Sequence, residues 1–153
     1  MKLQDVPVGE VLEVAACNMV APFIFVGHLR PLMEKADGSK FIVNVSAMEG
    51  KFYRYKTPFH PHTNMAKAAL NMMTRTSAED YSKSKIYMNA VDTGWINDEN
   101  PVDVAARIAK EHNFQTPIDE IDAAARVLDP VWEGTAGNLF YGGFWKDYCQ
   151  TEW

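Results

Sequence analysis

Apolar residues recur at helical spacing from about Val8 to Ala36, at Val11, Leu12, Val14, Ala15, Met19, Val20, Phe23, Ile24 and Leu29. The pattern predicts one long helix over 8–36, crossed by two prolines. Pro31 is expected to bend or end it near Arg30. Pro22 has no N–H, so the carbonyl four residues back, on Asn18, loses its helical donor and becomes a free acceptor inside a helix. Asp37-Gly38-Ser39 is a turn signal. A short run rich in β-branched residues then predicts a buried parallel strand over 40–47.

Residues 48–61 have no clear period and carry aromatics with Pro58 and Pro61, which predicts a loop long enough to be functional. A helix is expected over 63–82 and a strand over 85–91, closed by Asp92-Thr93-Gly94. Helices follow over 101–112 and 117–128, where Asn100 and Thr116 can cap first turns opened by proline. A last strand is expected over 139–144. Alternation of this kind implies a single α/β unit over 1–153, a partial doubly wound parallel sheet in three layers. No internal repeat or low-complexity tract is present.

Composition narrows the function classes. An apolar fraction of 47% and a charged fraction of 23% suit a globular domain. The net charge of -5 argues against a nucleic-acid binder. No run of eighteen apolar residues is found, so no spanning helix or membrane partner is expected. The first seven residues lack the apolar core of a signal peptide, and a cytoplasmic location is expected. Cys17 and Cys149 are expected to be reduced, buried thiols. His60-Pro61-His62 offers two histidines without a third ligand, and no metal site is expected.

Asn18 in a proline-kinked helix, the Phe41-to-Ser46 strand, Lys67 after a long loop, and an Asn-Ala-Val-Asp-Thr-Gly strand end stand in a telling order. In that order and spacing the chain resembles the C-terminal half of the short-chain dehydrogenase/reductase family. The resemblance covers nearly the whole chain. It implies a Rossmann-type fold, an NAD or NADP cofactor and an alcohol or carbonyl substrate. Its tetrad of Asn, Ser, Tyr and Lys moves a hydroxyl proton through a phenol of tuned pKa, while the cofactor carries the hydride.

Carried over by position, Asn18 and Lys67 match. The family's catalytic serine is the second of two adjacent small hydroxyl residues, and that place is Ala47 here. Ser46 could replace it only if the strand end bends, since side chains alternate along a strand. The tyrosine's place is Thr63, one helical turn before Lys67; a threonine there is a natural N-cap and a far weaker acid than a phenol. Tyr53 or Tyr55 in the long loop could supply a phenol instead. Thr93, Gly94, Trp95 and Ile96 stand where the family's cofactor-covering segment begins, and with Lys67 form the expected cofactor contacts. Trp95 could equally anchor a core.

A dinucleotide site also needs a Gly-rich turn between a first strand and a helix. None is present, so the chain corresponds to the back half of the fold, truncated relative to the family. The strand over 40–47 would then show an unpaired edge, to be covered by another chain or by Met1–Pro7. The resemblance implies a homodimer through helices 8–36 and 63–82, or a complementing N-terminal half. Two functions stay open: a truncated NAD(P)-dependent oxidoreductase segment, or a non-catalytic module, a pseudoenzyme acting by dimerisation or complementation.

Overall fold

The computed structural model describes residues 1–53, 55–96 and 117–153. A 3₁₀ turn, Leu3–Asp5, leads into α1 (Val8–Ala15), a π-helical turn (Ala16–Val20) and α2 (Ala21–Lys35), which form one continuous rod. Then come β1 (Lys40–Ser46), a 3₁₀ turn (Met48–Gly50), α3 (Pro61–Ser82), β2 (Ile86–Asp92), α4 (Glu120–Thr135), β3 (Phe144–Lys146) and β4 (Cys149–Thr151). The expected helix over 101–112 lies outside the described residues.

The sheet order is β1-β2-β3-β4. β1, β2 and β3 run parallel and β4 closes antiparallel. The fold is therefore α/β with a mixed four-stranded sheet. Even positions of β1 face α3, where Asn44 Nδ2 donates to Thr74 Oγ1 at 2.8 Å. Odd positions face α4: a Cβ on Gly134 would lie 2.2 Å from the Phe41 ring, so this glycine lets helix and sheet meet. Ala78 and Tyr81 of α3 with Ile86 and Met88 of β2 form a buried core, and Val26, Met33 and Ile42 pack against it.

Several boundaries differ from the sequence reading. Pro31 neither ends nor breaks the helix, which continues to Lys35. α4 starts later and runs longer than 117–128, because Asp119 rather than Thr116 caps it, its side chain accepting from the Asp122 N–H at 2.8 Å. The strand expected over 139–144 begins only at Phe144. Gly142 has φ 69° just before it, and the Asn89 side chain holds the Phe140 carbonyl (2.8 Å) and the Gly143 N–H (3.1 Å), so the apolar run 139–141 is a pinned loop. Cys17 and Cys149 are exposed, not buried, because both sit on surface turns and edges.

The rod Val8–Lys35 is long and apolar enough to cross a membrane by length and composition, which the count of uninterrupted apolar residues did not anticipate. In the fold its inner side lies on α3 and the core, where the Tyr81 hydroxyl donates to the Val26 carbonyl at 3.1 Å. Arg30 ties α2 to α3 by bonding Glu34 (2.8 Å) and Asp80 (2.6 Å) while stacking on the Tyr81 ring. That guanidinium holds both carboxyls below their usual range. The outer side stays open, with Leu12, Phe23 and Leu32 about two-thirds exposed. Between rod and α3 runs a groove of about 540 Å³ lined by Met19, Val20, Phe23, Met72 and Met73.

Among the described residues β1 pairs only with β2, so its other edge is open. The first residues do not cover it. Lys2 bridges to Phe59, and the His60 N–H donates to the Met1 carbonyl at 2.9 Å.

Candidate active site

Ligands of open α/β sheets bind outside the carboxyl ends of the strands. Here those ends are Ser46 and Asp92, which are paired in register. α3 crosses beside them and supplies the first functional side chain: the Lys67 ammonium donates to the Val45 carbonyl at 3.0 Å. The loop after β1 is seated on the same turn of α3. A Cβ on Gly50 would lie 2.6 Å from Asn71 Nδ2 and 2.7 Å from the Lys67 carbonyl carbon, so only glycine fits.

The start of α3 explains what Thr63 does. His60 is the N-cap, in the left-handed region at φ 56°, and Pro61 opens the first turn. Thr63 is therefore inside the helix rather than its cap, and its hydroxyl donates back to the His60 carbonyl at 2.9 Å. Ser46 is buried at 3% exposure, and its hydroxyl donates to Asn71 Oδ1 at 2.5 Å between β1 and α3. No bend of the strand end turns it outward, and the next position carries the methyl of Ala47.

Asn18 lies in the π-helical turn, which packs on α3. The turn ends two residues before Pro22, whose missing N–H is the donor Asn18 would otherwise receive; there the Ala21 N–H reaches back five residues to the Ala16 carbonyl. The Asn18 side chain donates to the Val14 carbonyl at 3.2 Å. Of the two loop tyrosines, Tyr55 points into solvent at 91% exposure. The Tyr53 hydroxyl accepts from the Lys51 ammonium at 3.3 Å.

At the end of β2, the buried Asp92 organises the turn. Its carboxylate accepts from the Gly94 N–H at 2.8 Å and from Lys146 at 2.7 Å. An aspartate bonding its own backbone two residues on makes a tight turn, and Gly94 completes it at φ 82°. Thr93 Oγ1 donates to the Gly94 carbonyl at 3.3 Å. Ile96 bridges to Ile118, while Trp95 is 67% exposed and so is not a core anchor. His62 is in the first turn of α3, buried, with Nε2 3.0 Å from Glu10 Oε1.

Sequence reasoning missed Lys51, Lys56, Asn71 and Lys146. The six residues from Lys51 to Lys56 mix basic and aromatic side chains, a signal that was open to view.

A family model described as Enoyl-(Acyl carrier protein) reductase matches residues 1–130. The chain belongs to the short-chain dehydrogenase/reductase family. An uncharacterized protein of Acanthamoeba polyphaga mimivirus is 34% identical over 129 residues, which are 80% of this chain and 27% of that protein. Among solved structures, the NADPH-bound carbonyl reductase from chicken fatty liver superposes with a TM-score of 0.72 at 20% identity, over 100% of this chain and 61% of that one. The carbonyl reductase Sniffer of D. melanogaster gives 0.72 at 20% identity, over 99% and 59%. A short-chain type dehydrogenase/reductase from Mycobacterium marinum gives 0.73 at 17%, over 95% and 57%. These neighbours show the fold. The chain spans about three fifths of their length and about a quarter of the viral protein's.

Proposed function

We propose that this chain is the nicotinamide-side part of a short-chain dehydrogenase/reductase oxidoreductase acting on an alcohol or carbonyl. The observation that carries the reading is the convergence of Lys67 and the Gly94 turn at the carboxyl ends of β1 and β2, with the Asn18 π-helical turn packed on the helix that carries Lys67. The cofactor fit is partial. The Asp92-held turn at Gly94 stands where the resemblance puts the nicotinamide end, packed so closely on Ile118 that a Cβ there would lie 2.6 Å from its side chain, and Lys67 stands one strand away. No Gly-rich turn is present to hold the pyrophosphate, so that grip must come from residues beyond these. When bound, the cofactor supplies the hydride. The chain's own residues orient the nicotinamide ribose through Lys67, shape the pocket floor through Gly94, and cover it with Trp95.

No phenol stands one turn before Lys67 on α3, where the Thr63 hydroxyl donates to the His60 carbonyl. That supports a second reading, a non-catalytic module of the same lineage. Tyr53, next to Lys51 and half-exposed, is the loop phenol that would serve the first reading. A partner is part of either. The open edge of β1 calls for a nucleotide-binding half, in the same chain or another, and the groove between rod and α3 suits a second copy. A monodisperse monomer in light scattering would count against the second copy.

Titrating NADPH and reduced nicotinamide mononucleotide against tryptophan fluorescence tests the oxidoreductase reading. Both should quench with similar millimolar constants, about −4 kcal/mol, because only the nicotinamide end is held. Micromolar binding of the dinucleotide alone would overturn the partial fit. Absence of quenching by either would leave the non-catalytic module.

A further inference from the structure

The stretch from β1 to the middle of α3 is basic within this acidic chain. The chain has a net charge of -5, yet between Phe41 and Thr74 it has one acidic residue, Glu49, against Lys51, Arg54, Lys56 and Lys67. Among the described residues, two of these lysines are hydrogen-bonded without a carboxylate partner. Lys51 is buried at 2% exposure, and its ammonium donates to Thr151 Oγ1 (2.5 Å), the Glu152 carbonyl (2.5 Å) and the Tyr53 hydroxyl (3.3 Å). It also lies 4.0 Å from the Phe144 ring centroid and 5.3 Å from that of Tyr53. Lys56 is exposed and donates to the carbonyls of Met48 (2.9 Å) and Glu49 (2.8 Å). Every one of those partners is a neutral oxygen or a ring face. By contrast Arg30, Arg126 and Lys146 each meet a carboxylate. Neutral dipoles satisfy the protons of an ammonium without cancelling its field, and a buried charge beside a low-dielectric wall projects that field further than an exposed one.

The carbonyls that Lys56 grips, on Met48 and Glu49, directly follow the carboxyl end of β1. The charge is thus fixed at the lip of the crevice rather than on a free arm. Beside it stand exposed aromatic side chains: Phe52 is 87% exposed and Tyr55 91%. A rim of exposed rings next to these cations suits a ligand with an apolar or planar body and an anionic head.

We propose that Lys51 and Lys56 form an oxyanion-binding lip, which takes a small organic anion, carboxylate or phosphate, with an aromatic or apolar body. Lys56 makes the exposed contact, Lys51 adds a fixed positive field, and Phe52 and Tyr55 offer exposed rings. This deepens the oxidoreductase reading and rests on it for calling the ligand a substrate; the site itself does not depend on a cofactor.

The test is therefore run without cofactor, by saturation-transfer NMR on the whole chain with benzoate, phenyl phosphate and neutral benzamide as probes. Each anion should bind about twofold to fivefold tighter than benzamide, the upper range expected of one exposed charge contact. The preference should shrink as salt is raised several-fold above physiological strength. Lys56→Gln should abolish it, whereas Lys83→Gln, on the far end of α3, should not. If phenyl phosphate wins over benzoate the head is a phosphate, and the reverse assigns a carboxylate. Benzamide binding as tightly as both anions, or a preference surviving Lys56→Gln, would overturn the proposal. Anion binding together with failure of the nicotinamide titration would keep the site and sink the oxidoreductase reading.

Discussion

Gly50→Ala is the substitution that loads the site's architecture most directly. The added methyl would sit 2.6 Å from Asn71 Nδ2 and 2.7 and 2.8 Å from the carbonyl carbon and oxygen of Lys67. Ordinary contact begins near 3.4 Å, so something must move by roughly 0.7 Å. The atoms at Lys67 are helix backbone and cannot swing aside. Asn71 can yield only by giving up the bond it accepts from Ser46. Overpacking of this kind costs about 1–3 kcal/mol. For a domain of this size that lowers the melting temperature by about 2–12 °C. The assay is urea unfolding followed by tryptophan fluorescence, with Gly27→Ala as the control. Gly27 lies mid-helix in α2 with nothing within 4 Å of its Cβ position, so alanine there should stabilise by about 0.5–1 kcal/mol. A Gly50→Ala protein within about 0.5 kcal/mol of the parent would refute the close seating of the loop on α3.

Four further outcomes follow from the same contacts. Ser46→Ala should cost about 1–3 kcal/mol by stranding the buried Asn71 acceptor, and Asn71→Ala should make the second change nearly silent in a double-mutant cycle. Asp92→Asn should cost about 1–3 kcal/mol in urea, because Lys146 loses its carboxylate and the Gly94 turn loosens. Arg30 holds Glu34 and Asp80 below their usual range, chiefly by hydrogen bonding, so their stabilisation is present above the unfolded carboxylate values and lost as pH falls through the folded ones. Arg30→Gln should accordingly flatten the acid limb of the urea midpoint against pH. Asp129 is shifted the other way, first by burial and then by Glu133, so its proton favours the fold and that stability is lost as pH rises through the raised value. Asp129→Asn should raise the thermal midpoint near neutral pH and leave it unchanged well below the carboxylate range.

The alternation of helices and strands was legible because β1 and β2 are parallel strands built from β-branched and apolar runs; β2 is buried as such a run suggests, whereas β1 is only half-buried, with Val45 44% exposed. The C-terminal strands were not. Leu139 to Tyr141 is apolar enough to read as strand, but the buried Asn89 amide claims that backbone, and pairing starts only at Phe144. Pattern along the chain cannot show a side chain reaching from 50 residues away. Within the site, the free carbonyl of Asn18 followed from a local rule of proline, whereas Lys67 stood out only through the family resemblance of its neighbours. Thr63 was misplaced as a cap because His60 takes a left-handed conformation that no histidine announces. The inward aim of Ser46 followed from strand alternation, yet its partner Asn71 is fixed by the crossing of α3 on β1, a tertiary fact. Lys51 is the clearest omission. A lysine between Gly50 and Phe52 reads as a solvated loop charge, and its burial depends on the C-terminal Thr151 and Glu152 arriving over it.

The most direct test of the central claim is a residue-resolved NMR titration of the chain with reduced nicotinamide mononucleotide. The account predicts amide shifts gathered at Thr93, Gly94 and Trp95 and around Lys67, with those shifts lost in Lys67→Met. Shifts gathered instead along the groove at Met19, Phe23 and Met72, or a titration unchanged by Lys67→Met, would contradict it.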